Sequence, residues 1–136
     1  MIVRSRDGFM WTTMSADKGE TWSPLKKTEM PAAATSHNLL RLRDGRLLLT
    51  HNPTKPPLRT ELTARISDDE GATWGEPVEI TRVEPARDDE DIYSRQVTYP
   101  SAVQLPDGHV VVVWTHISVS PIEQFGNIHS AKLRVE

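Results

Sequence analysis

The sequence predicts an all-β fold that is built from repeated four-stranded modules. The first observation is an octapeptide at residues 15–22 that recurs at residues 67–74, with five identical positions at matching offsets. The second is a segment around an Asp-Gly pair, at residues 42–49, that is repeated at residues 105–112. The third is that no window of the chain keeps the i, i+3, i+4, i+7 apolar spacing of an amphipathic helix.

The octapeptide has the chemistry of a closed hairpin turn. Its aspartate can accept hydrogen bonds from the backbone N–H groups that follow it, and its glycine allows the positive φ that such a turn needs. The threonine can bond back to the loop, and the tryptophan brings an apolar ring and one N–H that needs an acceptor. Because each side chain has a local task, we interpret both copies as structural. They comprise Ser15, Asp17, Gly19, Thr21 and Trp22, and Ser67, Asp69, Gly71, Thr73 and Trp74.

The Asp-Gly pairs predict tight β-hairpins, because each lies between two apolar runs. Together with the octapeptides they give a module of strand, Asp-Gly turn, strand, loop, strand, octapeptide turn, strand. Such a repeated four-stranded module is the blade of a β-propeller. We predict strands at residues 9–15, 25–28, 38–42, 46–51, 61–67, 78–82, 98–105, 109–116 and 127–135.

These strands divide the chain into three parts. Residues 1–30 are predicted to end one blade, residues 31–83 to form one complete blade, and residues 84–136 to supply three strands of a last blade. The chain would then hold about two to two and a half blades of a larger ring. We therefore expect it to be the C-terminal part of a longer propeller whose other blades lie upstream.

Composition limits the partners and leaves the compartment open. The net charge of −3 gives no electrostatic basis for binding nucleic acid or an anionic membrane. The chain has no cysteine, so no disulfide framework is expected. No apolar segment of a signal peptide follows Met1, and localisation stays unknown. The acidic run at residues 84–91 is interpreted as a solvated loop, with a calcium site as the alternative, although the EF-hand spacing is missing.

The octapeptide pattern S-x-D-x-G-x-T-W resembles the Asp box, or BNR repeat, of sialidases (neuraminidases) and related β-propellers. With the Asp-Gly hairpins, the resemblance covers nearly all of the 136 residues. It implies a six-bladed sialidase-type propeller and a carbohydrate partner, most simply an acidic sugar or glycan. It implies no cofactor, and it favours a secreted or periplasmic protein.

The segment at residues 97–108 is similar to the part of bacterial and animal sialidases that carries the nucleophilic tyrosine. The resemblance implies that Tyr99 is the nucleophile and lies at the start of an innermost strand. A sialic acid bears a carboxylate on its anomeric carbon, so a neutral phenol approaches that carbon without the repulsion that a carboxylate nucleophile would meet. The phenol pKa of about 10 requires a base, which is a glutamate in the family. The alternative is an aromatic residue that only packs at a strand start.

Two arginines resemble members of the arginine triad that holds the substrate carboxylate in sialidases. Arg59 precedes the strand that leads into the second octapeptide, and Arg4 has a similar place before the first, where Arg6 competes for the role. A guanidinium donates two parallel hydrogen bonds to a carboxylate, which a lysine cannot do. The alternative for Arg59 is an exposed loop residue, and Arg65 is expected on a solvent face.

His37 stands at the start of an inner strand, in the position that corresponds to Tyr99 in the next module. It could bind a sugar hydroxyl or relay a proton, and a structural histidine is the alternative. The other histidines have no paired spacing of the kind that metal sites show, so we predict no metal.

The sequence also departs from the sialidase pattern. The strand after the last Asp-Gly hairpin ends in Trp114-Thr115-His116, where many sialidases have Tyr-Glu. The acid aspartate, the activating glutamate and the first arginine of the triad come from earlier blades in the family. The resemblance implies a retaining exo-glycoside hydrolase of sialidase type. Because these groups come from earlier blades, we predict that this 136-residue piece is inactive alone.

Three alternatives stay open. The first is a polysaccharide lyase or non-sialic glycosidase on the same propeller, in which the tyrosine of a lyase would act as a base. The second is a non-catalytic carbohydrate-binding propeller. The third is a truncated gene product without a native function, which would aggregate through its exposed strand edges.

Overall fold

The computed structural model describes residues 1–118 and 126–135. These residues form ten β-strands in three antiparallel sheets and no α-helix. The all-β prediction is therefore confirmed. The strands are β1 (Ile2–Val3), β2 (Phe9–Thr12), β3 (Lys26–Pro31), β4 (Asn38–Arg41), β5 (Leu47–His51), β6 (Glu61–Ser67), β7 (Val78–Arg82), β8 (Gln96–Gln104), β9 (Val110–Ile117) and β10 (Asn127–Leu133).

The middle sheet is a four-stranded meander in the order β4-β5-β6-β7. Its second strand, β5, is buried along its whole length, whereas the outer strand β7 is mostly exposed. Leu49 of β5 pairs with Leu39 of β4 on one side and with Arg65 of β6 on the other. This gradient from a buried inner side to a solvated outer strand is expected of a blade that packs between neighbours.

The two flanking sheets have three strands each, in the orders β1-β2-β3 and β10-β9-β8. In the first of them, β2 ends at Thr12 rather than at residue 15, because Ser15 already belongs to the hydrogen-bonded turn. The outer strand β3 extends to Pro31, beyond the predicted range of 25–28. Strand β1 was not predicted, since two residues are too short to show an apolar period.

The main hydrophobic core lies between the middle sheet and the third sheet, where β4 packs against β8. Full burial of a large apolar side chain stabilises the fold by about 1.5–3 kcal/mol, so this cluster is a substantial part of the attraction between the two sheets. The buried members are Leu42, Leu48, Leu62, Ala64, Val97, Val110, Val112 and Trp114.

The meander topology gives the molecule two functionally different ends. One end, which we call the box end because both octapeptides lie there, holds the turns that join β2 to β3, β4 to β5, β6 to β7 and β8 to β9. The other end, which we call the cleft end, holds the connections from β1 to β2, β3 to β4, β5 to β6 and β7 to β8. In the part of the chain that the structure describes, no helix has the length and apolar character that a membrane span requires.

Candidate active site

An open cleft with a volume of about 780 Å³ lies at the cleft end. In the part of the chain that the structure describes, its walls come from the four connections named above and from the first half of β8. Residues that are far apart in sequence therefore meet here because of the topology. The lining residues are Arg4, Ser5, Arg6, Ala34, Pro56, Pro57, Arg59, Tyr93 and Tyr99.

Tyr99 enters this cleft from a β-bulge. Thr98 and Ser101 of β8 pair with Thr115 and Val113 of β9, so two residues of β8 oppose a single residue of its partner. Tyr99 has a φ of 55°, a left-handed conformation that costs a side-chain-bearing residue about 1–2 kcal/mol. The bulge turns the phenol outward, and Tyr99 is 52% exposed. Strained backbone of this kind is concentrated at functional sites, which makes Tyr99 the leading candidate for a reacting group.

Arg59 lies two residues before β6 and is half-buried in the wall of the cleft. Its Nη1 donates to Gln96 Oε1 at 3.4 Å and its Nη2 donates to the Ala34 carbonyl at 3.3 Å. The guanidinium carbon also lies 5.4 Å from the centre of the Tyr93 ring, a cation–π distance. These contacts orient the group, but both hydrogen bonds are long. Among the described residues Arg59 has no carboxylate partner, so it is available to an anionic ligand.

Arg4 and Arg6 lie in the connection between β1 and β2, and both are exposed. Within residues 1–118 and 126–135, neither guanidinium has a hydrogen bond or an ion pair to a protein group. Both line the cleft that also contains Arg59. The structure thus brings together the two arginines that the resemblance pointed to and their competitor, and none of the three is neutralised by a nearby acid.

Asp7 is the acidic residue next to this pair, and it is fully engaged elsewhere. Its carboxylate accepts a hydrogen bond from the Ser5 hydroxyl and from the Phe9 backbone N–H, and it forms a 3.1 Å ion pair with Lys27 Nζ. The Ser5 hydrogen bond, with the Lys27 contact, lowers the pKa of Asp7 to about 2. A carboxyl group of that pKa is ionised near neutral pH, whereas a general acid has to hold a proton before it reacts.

The cleft is therefore cationic, although the whole chain is acidic. Three arginines line it, and no described lining residue carries a negative charge. Two tyrosines add hydroxyl groups and aromatic faces of the kind that sugars contact. This combination favours a small anionic ligand with a polar, ring-shaped body, and a carboxylate suits the arginine forks better than a neutral group.

His37 lies outside the cleft lining. Its Nε2 is 3.1 Å from the Ile2 carbonyl, so the ring links the start of β4 to β1. Burial lowers the pKa of His37, which keeps the ring neutral at physiological pH. Arg65 also lies away from the cleft, at the box end of β6, where its Nη1 donates to the Gly75 carbonyl at 2.9 Å.

The two octapeptide turns are closed by the same set of hydrogen bonds. In the second copy, Asp69 accepts from the Thr73 N–H at 2.8 Å and from the Thr73 hydroxyl at 2.6 Å. Ser67 Oγ donates to Asp69 at 2.8 Å and accepts from the Gly71 N–H at 2.8 Å. The threonine hydroxyl is the largest of the causes that lower the pKa of Asp69 to about 2, and the same holds for Asp17.

The tryptophan rings cover the glycines of these turns. Trp22 donates its indole N–H to the Gly19 carbonyl at 3.0 Å. A methyl group added at Gly71 would lie 3.4 Å from the Trp74 ring. The repeated serine, aspartate and threonine side chains of both octapeptides are thus used within the turns, at the opposite end of the molecule from the cleft.

Sequence reasoning missed Tyr93, which lines the cleft beside Arg59. The residue follows the acidic run at 84–91. Because the composition of this segment predicts a solvated loop, no residue near it was expected at a site. The end of the loop is ordered by an ion pair between Arg95 and Glu90 at 2.8 Å. A single aromatic residue within a charged loop, just before an inner strand, is the signal that could have identified it.

No group of three or more histidine, cysteine, aspartate or glutamate side chains in the described residues is placed to hold a metal ion. His116 and His129 stack on neighbouring strands with ring centres 4.3 Å apart, but no third such ligand joins them.

Comparison with known proteins identifies the fold. The family described as BNR repeat-like domain matches residues 1–112. The structure is similar to the intramolecular trans-sialidase from Ruminococcus gnavus in complex with oseltamivir carboxylate, with a TM-score of 0.66 and 20% identity over 98% of this chain and 29% of that one. It is also similar to the NanB sialidase from Streptococcus pneumoniae, with a TM-score of 0.66 and 18% identity over 98% of this chain and 21% of that one. No curated protein matches the sequence.

The chain thus spans less than a third of the length of either sialidase. At these identities the likeness shows the fold, which is that of a sialidase-type β-propeller present in part. The resemblance to the sialidase superfamily that the octapeptides indicated is confirmed. The chain belongs to the BNR repeat-like domain family.

Proposed function

We propose that the cleft is part of the active site of a retaining, sialidase-like exo-glycoside hydrolase that acts on an acidic sugar. The observation that carries the proposal is the projection of Tyr99, from a strained bulge, into a cleft that has three arginines and no carboxylate among its described lining residues. The likeness to two sialidases supports a carbohydrate as the ligand.

In the proposed reaction the Tyr99 hydroxyl oxygen attacks the anomeric carbon of the sugar. The bond from that carbon to the leaving-group oxygen breaks, the leaving group takes a proton, and a covalent glycosyl–tyrosine remains. Water then attacks the same carbon, and the tyrosine leaves. The two displacements retain the configuration at the anomeric carbon. The base that removes the phenol proton and the acid that protonates the leaving group are not among the described lining residues, so the proposal assigns them to other parts of the protein.

Arg59 and Arg4 are proposed to hold the sugar carboxylate. The contacts of Arg59 with Gln96 and Ala34 fix its plane and leave donor capacity toward the cleft. Arg4 and Arg6 line the same cleft, and either is proposed to complete a fork around one carboxylate. Holding the carboxylate places the anomeric carbon next to it, which brings the reacting carbon toward Tyr99.

The test is Tyr99→Phe in the native polypeptide that contains this chain, with a fluorogenic sialoside as substrate. Loss of a covalent nucleophile is expected to lower kcat by roughly 10³-fold or more. Tyr93→Phe is the matched control, since it removes a hydroxyl from the same cleft without removing the proposed nucleophile. Full turnover by Tyr99→Phe would overturn the assignment. An unsaturated, ultraviolet-absorbing product would instead identify a lyase, and glycan binding without turnover would identify a binding propeller.

A further inference from the structure

We propose that Asn52 is a positioning residue that fixes Tyr99 relative to Arg59. The kinetic part of this inference rests on the proposed function, whereas its structural part does not. Asn52 directly follows β5 and is 1% exposed. It lines no part of the cleft, so its effect on the site has to pass through the strands that it contacts.

The side chain of Asn52 joins two sheets. Its Nδ2 donates to the Glu61 carbonyl of β6 at 2.5 Å and to the Val97 carbonyl of β8 at 2.7 Å. Its own backbone carbonyl accepts the Ala33 N–H at 3.0 Å, which adds the connection from the first sheet. The buried side-chain amide therefore ties the middle sheet to the third sheet, and the backbone carbonyl of the same residue holds the connection that follows the first sheet.

Val97 is the point where this contact reaches the candidate site. Its N–H donates to the Arg59 carbonyl at 2.8 Å, and its carbonyl accepts from Asn52. Both backbone groups of this fully buried residue are thus held by the connection between β5 and β6. Arg59 and Tyr99 are linked through Val97, with one contact from the backbone of Arg59 and one from the side chain of Asn52.

The bulge at Tyr99 explains why this contact has consequences for the site. Tyr99 lies two residues after Val97, and its strained φ of 55° is maintained only if the flanking segments are held on both sides. On one side Ser101 returns to the ladder with β9. On the other side Thr98 pairs with Thr115 of β9, and Val97 is held at the opposite edge of β8 by Asn52 and by the Arg59 carbonyl. Without the amide, this edge of β8 loses one of these two bonds beside the bulge, and we expect the position of Tyr99 to change.

The experiment compares Asn52→Ala with wild type in the native polypeptide that contains this chain, labelled with fluorotyrosine. Tyr99→Phe and Tyr93→Phe assign the two cleft resonances. Asn52→Ala is expected to shift or broaden the Tyr99 signal and to leave the Tyr93 signal in place. Asn52→Ser retains one donor, which can reach at most one of the two carbonyls, and is expected to give a smaller change in the same direction. It also provides a readout if Asn52→Ala does not fold.

Thr63→Val is the matched control. Thr63 is equally buried and its hydroxyl donates to the His51 carbonyl at 3.3 Å, but that bond stays within the middle sheet. It is expected to leave the Tyr99 signal unchanged. An unchanged Tyr99 signal in folded Asn52→Ser and Asn52→Ala would overturn the positioning role, whether or not the protein is a glycosidase.

The kinetic arm then separates positioning from stability. Displacement of a reacting group by about 1 Å costs on the order of 10²-fold in rate. Asn52→Ala is therefore expected to lower kcat per folded molecule about a hundredfold and to change KM for a sialoside less than about threefold. An unchanged kcat with a lower Tm would mean that Asn52 is only structural. Absence of turnover in the wild type would overturn the proposed function and leave the resonance test to decide the role of Asn52.

Discussion

The two ends of this molecule use polar side chains in opposite ways. At the box end, Asp69 has three donors within 2.8 Å, and all of them belong to residues of the same octapeptide. At the cleft end, Arg4 and Arg6 have no protein partner among the described residues, and the bonds of Arg59 are 3.3 and 3.4 Å long. Asp69 is thus satisfied within its own turn, whereas the three arginines of the cleft have no carboxylate partner among the described residues.

The difference separates a structural cluster from a candidate ligand site. A polar group that is satisfied by its neighbours has no unused donors or acceptors for a ligand, whereas three nearby guanidinium groups repel one another until an anion arrives. The octapeptide turns therefore stabilise the hairpins whatever the protein binds. The cleft has unused donors, and they are the physical reason for proposing that a ligand binds there.

The largest expected effect that tests this comparison is on ligand binding. Arg59→Ala in the native polypeptide should weaken the binding of sialic acid by roughly several hundredfold, since losing one partner of a hydrogen-bonded charge pair costs about 2–5 kcal/mol. Arg59→Lys should recover only part of the loss, because an ammonium cannot form the two parallel bonds. Isothermal titration calorimetry measures both.

Arg41→Ala is the control for this experiment. Arg41 is also an arginine in a bidentate contact, but its partner is Glu70 and both lie at the box end. The substitution should leave sialic acid binding within about twofold of wild type, because exposed ion pairs of this kind have little influence beyond their own surroundings. Equal losses for Arg41→Ala and Arg59→Ala would show that general positive charge, and not the cleft, attracts the ligand.

The box end could be predicted from the sequence more fully than the cleft end. The octapeptide turns and the Asp-Gly hairpins are closed by contacts between residues that are at most four positions apart, so their chemistry is legible in the sequence. The cleft is different, because Arg4, Arg59 and Tyr99 meet only after three sheets have assembled. The resemblance supplied those three residues, and their assignment as site residues stays a prediction.

Two features of the site were beyond sequence reasoning for identifiable reasons. The bulge that exposes Tyr99 depends on the register between β8 and β9, which no local pattern encodes. The cation–π contact between Tyr93 and Arg59 depends on how the long charged loop before β8 packs against the connection before β6. The predicted blade boundaries after residues 30 and 83 likewise stay predictions, since they concern the complete ring.

A second prediction concerns pH, and it separates the two ends by their titration windows. Burial lowers the pKa of His51, at the cleft end of β5, from 6.5 to about 4. The unfolded chain therefore binds more protons than the folded chain between these two values, so stability is lost as the pH falls through this window. The loss is about 3 kcal/mol, at 1.36 kcal/mol for each unit of pKa difference. The pKa values of Asp17 and Asp69 place their own contribution below this window, between pH 3.8 and about 2.

Urea denaturation at pH 7 and at pH 4.5, followed by tryptophan fluorescence, measures this effect. His51→Leu removes the titrating group and should flatten the dependence of the unfolding free energy on pH in that window. His37, whose pKa is also lowered by burial, contributes in the same direction, so His37→Gln is the companion variant. If the unfolding free energy of the double variant His51→Leu/His37→Gln depends on pH as steeply as that of wild type, other groups cause the dependence.

The smallest expected effect is at the box end, where Gly71 adopts a φ of 86° within the second octapeptide. Gly71→Ala should destabilise the protein by about 1–2 kcal/mol, because the left-handed region is unfavourable for a residue with a Cβ. The added methyl group would also meet the Trp74 ring at 3.4 Å, a distance at which the indole shifts little. Thermal unfolding measures the change.

Two further glycines divide this effect into its parts. Gly45 has a φ of 95° and no atom within 4 Å of an added Cβ, so Gly45→Ala reports the backbone strain without the ring contact. Gly75 lies outside the left-handed region and its added Cβ would have an ordinary 3.5 Å contact with the Ile66 carbonyl, so Gly75→Ala should be close to neutral. If Gly71→Ala and Gly45→Ala destabilise the protein equally, the ring contact contributes nothing to the loss, and the turn tolerates a methyl group beneath Trp74. All three substitutions should leave sialic acid binding unchanged, because a turn that is satisfied within itself transmits little to a cleft at the other end of the strands.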